Sequence, residues 1–234
     1  MPQDIHRIID GHIAMWHAQR QVPDAASSSE RVKRDRPRPM VVAIANQIGA
    51  NGRRIGVKVA ERLGIPTYDR EIMQHIADTA HVSVATVETL DEHARSRVDE
   101  YLTALLREQT FNVNDHLRLL TRIVVALWEH GPCVFTGHGC IHIVPRDHAL
   151  MVRIVAPLKL RIERVAESGH YDTDEARRRV LAGDADREAF HRRYFRAAVD
   201  DLQLYDLAVN SGQLDNDSCA DMIAGAYRSR FKAT

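Results

Sequence analysis

Apolar residues recur along the chain in two alternating rhythms. Short runs rich in apolar residues stand at 41–45, 65–68, 133–136, 150–155 and 205–209, and each reads as a strand. Between them apolar positions fall three or four apart, the spacing of one helical face. Ile55, Val59 and Leu63 follow the first run, and Ile72, Met73, Ile76 and Ala80 follow the second. From 83 to 130 the spacing stays helical, through Val84 and Val87, then Val98, Leu102 and Leu105, then Val113, Leu117, Leu120, Val124 and Trp128. Leu158, Ile162 and Val165 follow the fourth run, with Pro157 suited to a first helical turn. Thr173, Glu175 and Ala176 open another helix, and residues 184–195 read as a charged, Arg-rich helical stretch. A closing helix runs through Ile223 and Tyr227 after the cap region at 215–218.

Strands alternating with helices predict a three-layer α/β/α architecture, a parallel sheet of about five strands covered on both faces. A long helical insert, about 70–130, separates the second strand from the third. Ligands of such sheets sit at the carboxyl ends of the strands. The loops after the first four strands are therefore expected to converge on one cleft. They carry residues 49–54, Asp69-Arg70, Gly137-His138-Gly139 and Arg161.

The first of these loops is the most informative. A buried strand, a turn containing Gly49, Ala50, Asn51 and Gly52, and an amphipathic helix form an architecture that cradles phosphate. Gly49 and Gly52 allow positive φ and close backbone approach, and the helix directs its positive end at the same point. The usual triphosphate loop ends in Gly-Lys-Ser/Thr, whereas here Gly52 is followed by Arg53 and Arg54, with no hydroxyl. Two cations at a helix N-terminus oppose its dipole, so an anion between them is a better reading than two solvated side chains. Asp69 reads equally as a helix cap or a site residue. His138, between two glycines, reads as site-facing. Arg161 and Arg164 lie three apart on one helical face, where surface ion pairing is the competing reading.

Residues 4–20 place Ile5, Ile8, Ile9, Ile13 and Trp16 on one face of an N-terminal amphipathic helix. Its partner is its own domain, a second subunit (a homo-oligomer) or another protein, self-packing being preferred. Residues 23–39, polar and then basic with prolines, read as a linker. The main domain is set at 40–232.

Composition narrows the classes. Lys plus Arg and Asp plus Glu both number 32 among 234 residues, so no global field favours nucleic acid. Cys133, Cys140 and Cys219 form no CxxC pair, which fits a reducing compartment and buried thiols. No apolar run reaches the length of a membrane span, and the expected location is cytoplasmic. The histidines share no tight spacing with Cys or carboxylates, so no metal ligands are assigned.

Taken together, Gly49-Ala-Asn-Gly-Arg-Arg-Ile55, residues 61–70, residues 133–139, residues 152–157 with 161–164, Asp184-Ala-Asp-Arg187 and residues 205–211 resemble the cytidylate kinase-like family of P-loop nucleoside monophosphate kinases. The resemblance covers nearly all of 40–230 in order. It implies a P-loop NTPase fold and transfer of a phosphoryl group from ATP, with Mg²⁺, to a (d)CMP-type acceptor. It also implies roles: residues 49–52 on the donor phosphates, Arg53 or Arg54 in place of the lysine, and Asp69, Arg70, Gly137 and His138 on the acceptor side. Arg161, Arg164 and Arg187 would come from a lid region, about 165–200, together with Arg192 and Arg193. The chain departs from the family pattern at His138, where Arg is usual, at Arg54, where Glu is usual, and at Ala50-Asn51, where Ser-Gly is common. A weakened nucleotide-binding or regulatory protein on the same fold is the alternative.

Overall fold

The structure, a computed structural model, describes residues 2–21, 39–108 and 115–231. Nearly all of the expected linker, and Val113, lie outside these residues. In chain order the elements are α1 (Pro2–Gln21), β1 (Val41–Asn46), α2 (Gly52–Leu63), β2 (Thr67–Tyr68), α3 (Arg70–Asp78), α4 (Ala80–Glu88), α5 (Glu92–Glu108), α6 (Asp115–His130), β3 (Val134–Thr136), α7 (Cys140–Ile143), β4 (Ala149–Val155), α8 (Leu158–Gly169), α9 (Thr173–Phe195), β5 (Leu207–Asn210) and α10 (Asn216–Phe231). They form two compact units, residues 40–69 with 133–234 and residues 1–39 with 70–132.

The first unit is built on a parallel sheet of order β2-β3-β1-β4-β5. The five expected strands all form, as parts of an α/β fold. β1 is central because its run Val41, Val42, Ala43, Ile44, Ala45 is buried on both faces. Val42, Ile44, Val152 and Ile154 pack with Ile55 and Val59 of α2 and with Ile223 and Tyr227 of α10. Tyr227 satisfies its buried hydroxyl by donating to the Met40 carbonyl at 2.8 Å. β2 is only two residues long; Pro66 has no N–H to donate, and its carbonyl instead accepts from Val134 N at 2.9 Å.

The helical readings around Thr173 and 184–195 join into one helix, α9, capped by Asp172, whose side chain accepts from Glu175 N. Gly183 does not break it. A Cβ at Gly183 would lie 2.9 Å from Ile48, so the small residue lets the first loop pack against the helix.

In the second unit α6 is the centre. Leu117, Leu120, Ile123, Val124 and Trp128 are all buried, and Trp128 donates to the Pro39 carbonyl at 2.7 Å. The N-terminal helix uses part of its apolar face within this unit: Ile9 and Trp16 are 3% and 4% exposed, and Trp16 stacks on His130 at 4.0 Å. Ile8 remains exposed. Among the described residues no helix is long and apolar enough to cross a membrane.

Candidate active site

The loop after β1 is fixed by its own backbone and by neighbouring strands. Gln47 N donates to the Ile154 carbonyl at 3.1 Å, its side-chain Oε1 accepts from Ala156 N at 3.2 Å, and Ala50 N closes a turn onto the Gln47 carbonyl at 3.2 Å. Two residues adopt the left-handed conformation, Gly49 with φ 75° and Asn51 with φ 60°. Gly49 is required twice over: a Cβ there would meet the Arg161 carbonyl oxygen at 2.5 Å. Alternating right- and left-handed residues turn successive amides toward one concavity, the nest that binds anions.

Asn51 ends the loop without capping α2; its Nδ2 donates to Asn216 Oδ1 at 3.2 Å instead. The first turn of α2 contains no acidic residue. The positive end of the helix is therefore met neither by a side-chain cap nor by an acidic residue of its own first turn. Arg53 and Arg54, both exposed, stand at this point. Arg53 pairs with Asp69 at 2.5 Å, and Asp69 is 6% exposed, so a buried carboxylate aims the guanidinium from the end of β2.

Arg161 and Arg164, both on α8, hold the loop from behind. Arg161, 6% exposed, donates to the carbonyls of Ala156 at 3.0 Å and Ile48 at 3.2 Å and pairs with Asp184 of α9. Asp184 in turn accepts from Ile48 N at 3.0 Å. Arg164 donates to the Gly49 carbonyl at 3.3 Å and the Ser211 carbonyl at 2.7 Å. Ser211, 1% exposed, donates to the Ala50 carbonyl at 2.9 Å. Arg187 of α9 donates to the Asn46 carbonyl. The carbonyls of Asn46, Ile48 and Gly49 are thus held by guanidiniums and that of Ala50 by a hydroxyl, while the N–H groups of Gln47, Ile48 and Ala50 are taken by protein acceptors.

Gly137-His138-Gly139 forms a second left-handed stretch, with φ values of 91°, 52° and 69°. Gly137 N donates to the Ile44 carbonyl at 3.0 Å, tying it to β1. His138 is half-buried. Next to it, His142 of α7 and His191 of α9 share a 2.9 Å contact between Nε2 and Nδ1, and Phe195 stacks on His142 at 4.5 Å. Burial pushes both imidazoles down, so the pair is neutral near pH 7.

The structure brings together residues 49–53, Asp69, Arg161, Arg164 and Arg187. Arg70 opens α3 and belongs to the other unit. Sequence reasoning assigned no site role to Asp184, Asn46 or Arg153. Arg153 carried a signal: it is the one charged residue in an apolar strand, and it is 4% exposed. Among the described residues no three His, Cys, Asp or Glu side chains are grouped to hold a metal ion, and Cys133, Cys140 and Cys219 are buried and unpaired.

Residues 41–213 match the model of the Cytidylate kinase-like family. A cytidylate kinase from Staphylothermus marinus is 27% identical over 40% of this chain, and the match spans about half of that relative's length, 52%. One from Methanothermobacter thermautotrophicus is 22% identical over 76% of this chain and 99% of its own. The crystal structure of an uncharacterized protein from Eubacterium ventriosum superposes with a TM-score of 0.65 and 22% identity, covering 81% of this chain and 98% of that one.

Proposed function

As the chain belongs to the cytidylate kinase-like family, we propose that it is a nucleotide phosphotransferase moving the γ-phosphoryl group of ATP to a (d)CMP-type nucleoside monophosphate. One observation carries this reading: the loop at 47–52 has its carbonyls tied to Arg161, Arg164 and Ser211 and leads into a helix start with neither acid nor side-chain cap. Phosphoryl transfer needs positioning and charge neutralisation more than covalent chemistry. A preorganised row of amides supplies both without rearranging during the reaction.

In this account the loop at 49–52 holds the donor phosphates through the amides of Gly49, Asn51 and Gly52, the Ala50 amide closing the turn onto Gln47. Arg53, held by Asp69, and the neighbouring Arg54 supply the charge that a lysine gives elsewhere. Arg161 and Arg164 are positioning residues that keep the cradle's shape, and Arg187 ties α9 to Asn46, the last residue of β1. His138 and Gly137, with Asp69, serve the acceptor side; the lid at about 165–200 contributes to closing the site. Mg²⁺ enters with the donor as part of the substrate, carried on its phosphate oxygens. The cytoplasm, where both nucleotides are available, is the setting that this reading requires.

A second reading, a nucleotide-binding or regulatory protein with weak turnover, draws on the engagement of Arg53, Arg161, Arg164 and Arg187 with protein groups. Measuring ADP formation from Mg-ATP across a panel of nucleoside monophosphates, with a no-acceptor control, separates the two. Acceptor-dependent ADP supports the kinase, and saturable ATP binding without it supports the second.

A further inference from the structure

The end of α9 closes onto the turn after β3 through a contact that takes no part in the phosphate cradle. His191 of α9 and His142 of α7 meet with Nδ1 and Nε2 2.9 Å apart, and the Phe195 ring stacks on His142 with centroids 4.5 Å apart. The same ring lies over Gly139, whose φ is 69° and where a Cβ would overlap it. Further back on the helix, Asp184 accepts from Ile48 N and Arg187 donates to the Asn46 carbonyl. One helix therefore holds two loops, and its anchors differ: a carboxylate and a guanidinium at the first loop, two imidazoles at the turn after β3.

A hydrogen bond between two imidazoles needs one N–H and one bare nitrogen. One added proton can sit on the far nitrogen of the donor ring and leave that bond intact. A second sets N–H against N–H and puts two like charges in contact, and no change of tautomer relieves it. The charged groups around the pair are few. Arg153 of β4 and Arg187 of α9 oppose a proton on His191, Asp200 favours one, and His142 feels His191. Glu188 and Arg192 of the same helix pair with each other. Burial acts most strongly, pushing His142 down to about 3 and His191 down to about 4. Rings released into water titrate near 6.5. Any opening that exposes them therefore takes up protons, and each ring favours the open form by about tenfold per pH unit below that value.

We propose that the His142–His191 contact is an acid-released catch: it holds the end of α9 on the Gly137–Gly139 turn near neutrality and lets it go as pH falls, while Asp184 and Arg187 keep the rest of the helix at the first loop. The turn carries His138, so release also loosens the acceptor side; that consequence rests on the nucleotide reading above, and the catch itself does not.

Hydrogen–deuterium exchange of the full chain, read by mass spectrometry from pH 7 to 5 with labelling times scaled to the chemical exchange rate, tests it. Peptides covering 188–197 should exchange faster than those of β1 and β4 at every pH. Their protection should fall by about a hundredfold per pH unit below 6, the signature of two protons taken up on opening. His191→Gln keeps a hydrogen bond to His142 and removes one of those protons, so the fall should drop to about tenfold per unit. His142→Gln makes the same test from the other ring. Equal protection of 188–197 and the strands throughout would mean that only global unfolding exposes the pair, and would overturn the proposal. So would a pH slope unchanged in both variants. Calorimetric titration with CMP at pH 7 and 5.5 reads the consequence: binding should weaken in acid more for the parent protein than for His191→Gln. No CMP binding at either pH would count against the nucleotide reading alone, since the exchange slopes decide the catch.

Discussion

Arg161 and Asp184 hold the two peptides that flank one residue: the guanidinium donates to the Ile48 carbonyl at 3.2 Å while the carboxylate accepts from the Ile48 N–H at 3.0 Å, and the two side chains pair with each other. The ion pair thereby fixes Ile48 through the peptides on either side of it, next to the residues of the proposed phosphate loop. Breaking a buried pair leaves an uncompensated charge and costs about 3 kcal/mol. Arg161→Met should lower the unfolding free energy measured by urea titration by that amount and weaken ATP binding. The double change Arg161→Met with Asp184→Leu should recover part of the stability but not the affinity, because Ile48 remains unheld. Equal recovery of both would show that the pair serves stability only.

Gly49→Ala tests the shape of the cradle. The alanine would occupy a left-handed conformation, a strain of order 1–3 kcal/mol, and its Cβ would press on the Arg161 backbone. The loop must shift, and ATP affinity measured by calorimetry should fall at least about tenfold if roughly 1.4 kcal/mol of that strain is relieved by moving amides away from the ligand. Unchanged affinity would place the donor phosphates elsewhere.

Acid should destabilise the protein in a window set by its buried histidines. Burial pushes His130 down to about 4, while an unfolded histidine titrates near 6.5. Between these values the unfolded chain binds a proton at His130 that the folded chain refuses, so stability rises with pH. The contribution is complete above 6.5 and is lost as pH falls toward 4, amounting to roughly 3 kcal/mol. His142 and His191 act in the same direction through burial. Urea midpoints measured from pH 7 to 4.5 should fall steadily, with a shallower slope in His130→Gln. An unchanged slope would contradict this assignment.

Trp16 tests the seat of the N-terminal helix. Its indole is buried and stacked on His130, which also contacts the Thr86 carbonyl at 2.9 Å. Trp16→Ala should destabilise by about 3 kcal/mol, in line with aromatic truncation in a core. Limited proteolysis should then cut residues 2–21 first. If α1 instead serves mainly to join subunits, the variant would change the sedimentation coefficient and leave the protease pattern alone.

The sheet was legible because buried parallel strands show as apolar runs, and the first loop because glycines and a following four-residue apolar period mark it. Strand ends were harder: Ile65 and Pro66 lie outside β2, since proline cannot join the ladder. The continuity of α9 was hidden by Gly183, a residue that ordinarily suggests a break and here makes room for Ile48. The contacts of Arg161 and Arg164 with the loop span more than a hundred residues, 113 and 115, so no local spacing reveals them. The competing reading of Arg161, a surface ion-pairing residue, does not hold, because the side chain is buried against Asp184. The His142–His191 contact, 49 residues apart, left no sequence signal either.

The most direct measurement is ADP formation from Mg-ATP by the full chain, with CMP, dCMP, other nucleoside monophosphates and no acceptor in parallel. The account requires ADP that depends on the acceptor and is greatest with CMP or dCMP. ADP formed equally without any acceptor, or none formed while ATP binds saturably, would contradict it.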